Sequence, residues 1–150
     1  MFKWFKHTIK FSKMFYAELL SGLWISDTDI LSNKKFIEDN QIGIVLNCTQ
    51  YFDFPPCDIQ KIRLPFSPIH SDEKNLYLLK QNQKKIVDFI LGNLDKKNIL
   101  ISCYDGKCIS PLIVALVISK GSHIDKQSIY EILLTHHKEF VLWCDLRSFD

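Results

Sequence analysis

The stretch ILISCYDGKCISPLIVALVI, residues 99–118, decides how this chain is to be folded. An apolar, β-branched run reaches Cys103, crosses a short loop containing Gly106, and re-enters an apolar run at Pro111. A tight loop feeding a helix start aims several backbone N–H groups at one point, and the helix dipole adds partial positive charge there. A cysteine at that point has its thiolate stabilised and is disposed to attack. Gly106 permits the turn, and Pro111 suits the first turn of a helix. Spacing alone equally allows a buried cysteine that ends a strand. The loop closes on Ile109 and Ser110, where an anion would want a cation.

Outward from the loop, strands and helices alternate. Leu23–Ser26 reads as a short strand, and Asn33–Asn40 as a helix closed before Gly43. Ile42–Cys48 (IGIVLNC) is a buried strand, and Gln60–Phe66 another, ended by Pro65 and Pro68. Residues 67–75 (SPIHSDEKN) form a polar loop. Leu76, Leu79, Ile86, Phe89 and Ile90 then recur at helical spacing up to Gly92. Asn98–Cys103 is a strand, Pro111–Lys120 a helix stopped by Gly121, and Ile124–His136 a further helix. Phe140, Trp143, Leu146 and Phe149 mark a final helix. The pattern is α/β, a central, mostly parallel sheet flanked by helices. Ligands of such sheets sit at the carboxyl ends of the strands, where the Cys103 loop lies.

A chain of 150 residues, 47% hydrophobic and 24% charged, fits one globular domain with a sizeable core. No apolar run approaches the ~20 residues of a membrane span, and lysines interrupt any signal-peptide centre at the N-terminus. Five scattered cysteines without CxxC pairs argue against a disulfide framework or a zinc site and for a reducing, cytoplasmic setting. His70 and the pair His136–His137 lack the acid or cysteine spacing of a metal site, so neither metal nor cofactor is expected. The bias toward Lys, Ile and Asn fits an AT-rich genome, viral or parasitic, which would make the setting host cytoplasm or a virion.

The net charge of +2 is unevenly placed, because residues 1–13 hold four lysines and no acid. Placed on a helix over residues 1–19, Phe2, Phe5, Ile9 and Tyr16 share one side, broadened by Trp4, Phe11 and Phe15. Lys3, Lys6, Lys10 and Lys13 fall on the other. Such a helix packs on its own domain or on a twin subunit, or lies on an anionic membrane surface. Nucleic acid is the weakest reading, since aromatic interleaving comes without a base-reading motif. The domain proper then spans 20–150.

Cys103-Tyr-Asp-Gly106-Lys-Cys-Ile109-Ser110 resembles the HCxxGxxRS signature loop of the cysteine-dependent protein phosphatases, the dual-specificity branch above all. LLSGLWISDTDILSN at 19–33 resembles that branch's opening strand and turn. IGIVLNCT at 42–49 resembles its "I..VLN.T" strand, SPLIVALVISKG at 110–121 its helix after the loop, and FVLWCDLRSFD at 140–150 its closing helix. The resemblance covers residues 20–150 in order and implies the dual-specificity phosphatase fold. It also implies a phosphate loop made of Cys103, Tyr104, Asp105, Gly106, Lys107, Cys108, Ile109 and Ser110, with Cys103 at the nucleophile's position. A family member, the poxvirus virion phosphatase, dimerises through an N-terminal helix, and the resemblance implies the same use for residues 1–19.

The departures bear on activity. The family's phosphoryl-gripping arginine falls at Ile109, and the histidine that lowers the nucleophile's pKa falls at Ser102; the thiolate-stabilising hydroxyl remains as Ser110. The family's general acid falls near Pro68 or Ile69, with Asp72 the nearest carboxylate. Isoleucine cannot imitate a planar guanidinium fork. Such arginines are worth ~10³–10⁵ in rate, and a missing general acid removes ~10²–10⁴ more. Arg63, in a strand, and Arg147, in the last helix, stand away from the loop, and the resemblance implies that Lys107, at a variable position of the loop, points outward. Cys108 either packs under the loop or pairs reversibly with Cys103. The expectation is a pseudophosphatase whose loop amides hold phosphate weakly and whose surface binds a protein partner, a phosphorylated one or an active relative included. The alternatives are a residual phosphatase using Cys103 on proteins, RNA 5′-phosphates or lipids, and a membrane-associated module led by the basic helix.

Overall fold

The computed structural model describes residues 14–150. Five strands form one sheet: β1 (Tyr16–Leu20), β2 (Leu23–Ser26), β3 (Ile42–Asn47), β4 (Gln60–Arg63) and β5 (Asn98–Ser102). Their order across the sheet is β1-β2-β5-β3-β4, with β1 antiparallel to β2 and every other pair parallel. β5 sits in the middle, so the loop that follows it opens at the centre of the carboxyl edge.

Alternation along the strands divides the core in two. Ile99 and Ile101 face one side with Leu23, Ile25, Ile44 and Leu46, while Leu100 faces the other with Val45 and Ile42. A register irregularity between Ile42 and Ile44 puts both isoleucines, two residues apart, on opposite sides. The larger layer holds α2 (Glu73–Asn93), α3 (Ile109–Gly121) and α4 (Lys126–His136). The smaller holds a 3₁₀ turn at Thr28–Ser32 and α1 (Lys34–Asp39). Residues 109–117 are buried without exception, because α3 is wrapped by the sheet, α2 and α4.

Three expectations are corrected. Tyr16–Leu20, the end of the predicted N-terminal helix, is strand β1, since pairing with β2 satisfies its backbone; residues 1–13 lie outside the described residues. β4 stops at Arg63 rather than Phe66, although Leu64 N–H still reaches Asn47 O at 2.9 Å. The closing helix shrinks to a 3₁₀ turn at Leu146–Phe149. Phe140, Leu146 and Phe149 are nevertheless buried. Their spacing reports which residues meet the core, and an irregular strap meets it as well as a helix would.

Candidate active-site loop

β5 ends at Ser102, and α3 begins at Ile109, earlier than Pro111. Between them Gly106 adopts φ +73°, a left-handed conformation that glycine alone takes without strain. An added Cβ there would lie 2.8 Å from Phe15 Cδ2 and from the Ser26 carbonyl carbon. The loop is therefore pressed against β2 and the chain entering β1. Other bonds knit it in place. Val141 N–H donates to Lys107 O at 2.9 Å and Trp143 Nε1 to Cys108 O at 3.1 Å, which ties the C-terminal strap to the loop. Tyr104 OH donates to Phe66 O at 2.8 Å and accepts from Gln50 N–H at 3.0 Å, tying the loop to the connections after β4 and β3.

Cys103 is 1% exposed, beside Cys48 on the neighbouring strand end, whose N–H donates to Ser102 O at 2.7 Å. Burial pushes the Cys103 thiol above its ordinary range, against the opposing pull of the Ser110 hydroxyl and N–H, and the Asp105 charge pushes it further. Ser110 N–H lies 3.4 Å from Cys103 Sγ. Cys108 is pushed up to about 12, by burial first and then by Asp105. Cys48 is raised well above its usual value, again by burial first. All three thiols are free.

The residues around the thiol are engaged elsewhere. Ser102 Oγ donates to Asp27 O at 2.9 Å, as does Ser26 Oγ, so it braces β2 against β5 and does not face the loop's mouth as a donor. Ile109 is 2% exposed and belongs to the main core. Lys107 is engaged too: its Nζ pairs with Glu139 at 2.5 Å and stands 5.3 Å from the Phe15 ring centroid. Arg63 is at the carboxyl edge, but its fork is taken. Its Nη1 donates to Thr49 O at 2.9 Å and its Nη2 to Phe52 O at 2.7 Å, with the guanidinium over the Phe54 ring. Arg147 pairs with its neighbour Asp145.

Asp72 caps α2, its Oδ1 accepting Lys74 N–H at 3.0 Å, and no hydrogen bond joins it to the loop among the described residues. The 67–72 connection is held instead by buried Asn75, which bonds Ser67 N, Ser67 O and Ile69 O. Sequence reasoning passed over Asn75, whose polar type inside a helix facing the core was the available signal. It passed over Phe15 and Trp143 as loop braces too, because nothing in their spacing says what they touch. Asp105 was named only as a loop member. The Asp-Gly pair signals a turn whose Asp bonds nearby backbone, and Asp105 Oδ1 does accept Lys107 N–H at 2.8 Å. The described residues contain no cluster of three or more His, Cys, Asp or Glu arranged for a metal ion, and none of their helices is long and apolar enough to cross a membrane.

Solved structures match this architecture. Human DUSP28 superposes with a TM-score of 0.74 at 7% identity, covering 89% of this chain and 88% of its own. A mouse dual specificity phosphatase complexed with zinc tungstate superposes at 0.72, with 11% identity over 84% and 77% of the two chains. The chain has the dual-specificity phosphatase fold. The human tyrosine phosphatase-like serine/threonine/tyrosine-interacting protein matches as well, at 0.70 and 13% identity over 84% of this chain and 86% of that one. No family model and no curated protein sequence matches. At such identities the likeness lives in the backbone path, and the loop's side chains must speak for themselves.

Proposed function

We propose that this chain is a pseudophosphatase, a dual-specificity phosphatase fold that serves as a binding or regulatory module without ordinary phosphate turnover. The observation that carries this reading is Ile109, an aliphatic side chain 2% exposed in the core at the position where the family's arginine would grip a phosphoryl group. A dianion brought beside it would lose hydration with no guanidinium in return. Three further features support the reading. Burial raises the pKa of the Cys103 thiol above its ordinary range, Ser102 is bonded away to Asp27 O, and Asp72 is committed to a helix cap. A phosphatase-like neighbour named for interaction stands among the similar structures.

The test is phosphate release from a small aryl phosphate by the unmodified chain, Cys103→Ser and Ile109→Arg. Equal, background-level release by the unmodified and Cys103→Ser proteins is expected. Release that depends on Cys103 overturns the reading in favour of a residual phosphatase acting on protein, RNA 5′-phosphate or lipid. Ile109→Arg alone is expected to stay inactive, because Ser102 and Asp72 remain as they are.

The partner in this reading is a protein, a phosphorylated one or an active relative included, with a homodimer through residues 1–19 as companion. Sedimentation of the full chain and of a chain lacking residues 1–17 checks the dimer, which should dissociate on truncation. Binding of the full chain, but not the shortened one, to anionic vesicles would instead favour the membrane-associated module.

A further inference from the structure

A loop that opens a helix presents N–H groups in need of an acceptor. Here one acceptor comes from the loop itself. Asp105 Oδ1 takes Lys107 N–H at 2.8 Å, Oδ2 lies 3.3 Å from Cys108 Sγ, and Oδ1 lies 3.9 Å from Cys103 Sγ. Among the described residues no cation answers this carboxylate, since Lys107 Nζ is paired with Glu139 and both arginines are bonded elsewhere.

The other wall of the cradle is incomplete in a complementary way. Ser110 Oγ, on the first turn of α3, is fully buried and has no hydrogen-bond partner among the described residues. Its hydroxyl and N–H both favour negative charge at Cys103. A buried hydroxyl without a partner is costly, and one on the residue whose N–H meets Cys103 Sγ marks a position for a polar group. Donors suited to an oxyanion thus persist on the α3 side, while a carboxylate holds the opposite side.

Resting on the pseudophosphatase reading, we infer that Asp105 is the residue that bars tetrahedral oxyanions from the Cys103 loop. Its carboxylate takes the Lys107 amide and places a negative charge where phosphate, sulfate or tungstate would sit. The block is separate from the loss of the arginine. Ile109 removes an attraction, whereas Asp105 adds a repulsion and occupies a donor. Asp105 is exposed, yet its carboxylate stands at the loop's amides, where like charge repels an incoming oxyanion and the Lys107 amide is no longer free to donate. The weak phosphate binding expected from the loop amides is accordingly absent from the unmodified chain.

Calorimetric titration of tungstate into the full-length protein at fixed pH and ionic strength tests this with Asp105→Asn and Asp105→Ala. Asparagine keeps an oxygen for Lys107 N–H but no charge; alanine removes both. Affinity should rise by at least about tenfold for the alanine variant, with asparagine in between. Adding Ser110→Ala to Asp105→Ala should lose the gain. In both single variants the pH profile of Cys103 alkylation should move to lower pH, a change that a purely structural turn residue would not produce. Variants that bind no more tightly than the unmodified chain overturn the inference, as does an unmodified chain that already binds as tightly. Should the alanine variant not fold, the asparagine variant decides. Failure of the pseudophosphatase reading is seen separately, as Cys103-dependent turnover by the unmodified protein. Asp105→Ala is expected to gain binding without turnover, because Ile109 is unchanged.

Discussion

The frame of the Cys103 loop and its lining have opposite characters. The frame is complete: Gly106 in its left-handed conformation, Trp143 and Val141 on the loop carbonyls, Tyr104 pinning two neighbouring connections. The lining is apolar at Ile109 and anionic at Asp105, with a buried thiol whose pKa burial raises. On the proposed pseudophosphatase reading, the contrast teaches how a phosphatase architecture can outlive its chemistry. Backbone C=O groups exist at every residue and N–H groups at every residue but proline, so a loop's path survives replacement of side chains that only the ligand needed. On that reading, an aliphatic residue that fills the arginine's place in the core leaves no structural debt.

The largest effect should come from that core role. Ile109→Ala opens a cavity beneath the loop and should cost about 2–4 kcal/mol in urea unfolding. A loss below about 1 kcal/mol would mean that Ile109 lines a loose surface, and the contrast drawn here would break. Gly106→Ala attacks the frame. Its Cβ would meet backbone of Ser26 and Asp27, which cannot swing aside, and its φ is unfavourable for alanine. About 2–3 kcal/mol should be lost, read from the same unfolding curves. Trp143→Phe keeps the ring's bulk but removes the bond to Cys108 O. A loss of about 1 kcal/mol is expected, which would sharpen the assignment of the strap as a brace rather than a cover.

The smallest and most informative effect is on pH. Burial raises the folded-state pKa of Cys103, Cys48 and Cys108. Above the ordinary cysteine range the unfolded thiols ionise while the folded ones keep their protons. Stability contributed by these thiols is therefore full below that range and is lost as pH rises through the folded-state values. Alkylation of Cys103 should accordingly stay slow at neutral pH and quicken only in alkali. Rapid alkylation at neutral pH would show a thiolate like that of an active phosphatase, and the lining would no longer contrast with the frame.

Much of this was legible in advance because it depends on periodicity. Apolar runs such as IGIVLN and NILIS can satisfy both backbone and side chains only as central parallel strands, and the Cys103–Ser110 spacing already placed a loop at a sheet edge. The predicted strand over Leu23–Ser26 stands where expected. Elements near the termini were harder to read. Tyr16–Leu20 carries aromatic and apolar residues that suit either a helix face or an edge strand, and only the free edge of β2 selects the strand. Phe140, Leu146 and Phe149 are buried in the main core without forming an α-helix of their own.

The sequence by itself determined the alternation of strands and helices, the place of the loop and the residues missing from it, since each follows from local pattern and residue type. Only the tertiary structure decided what the remaining groups do. It turned Ile109 into the core, bonded Ser102 to Asp27 O, capped α2 with Asp72, and laid Asp105 across the loop's own amide. The reason is physical. Hydrophobic period is written along the chain, whereas the partner of a polar group is whichever donor or acceptor the fold happens to bring within 3 Å or so.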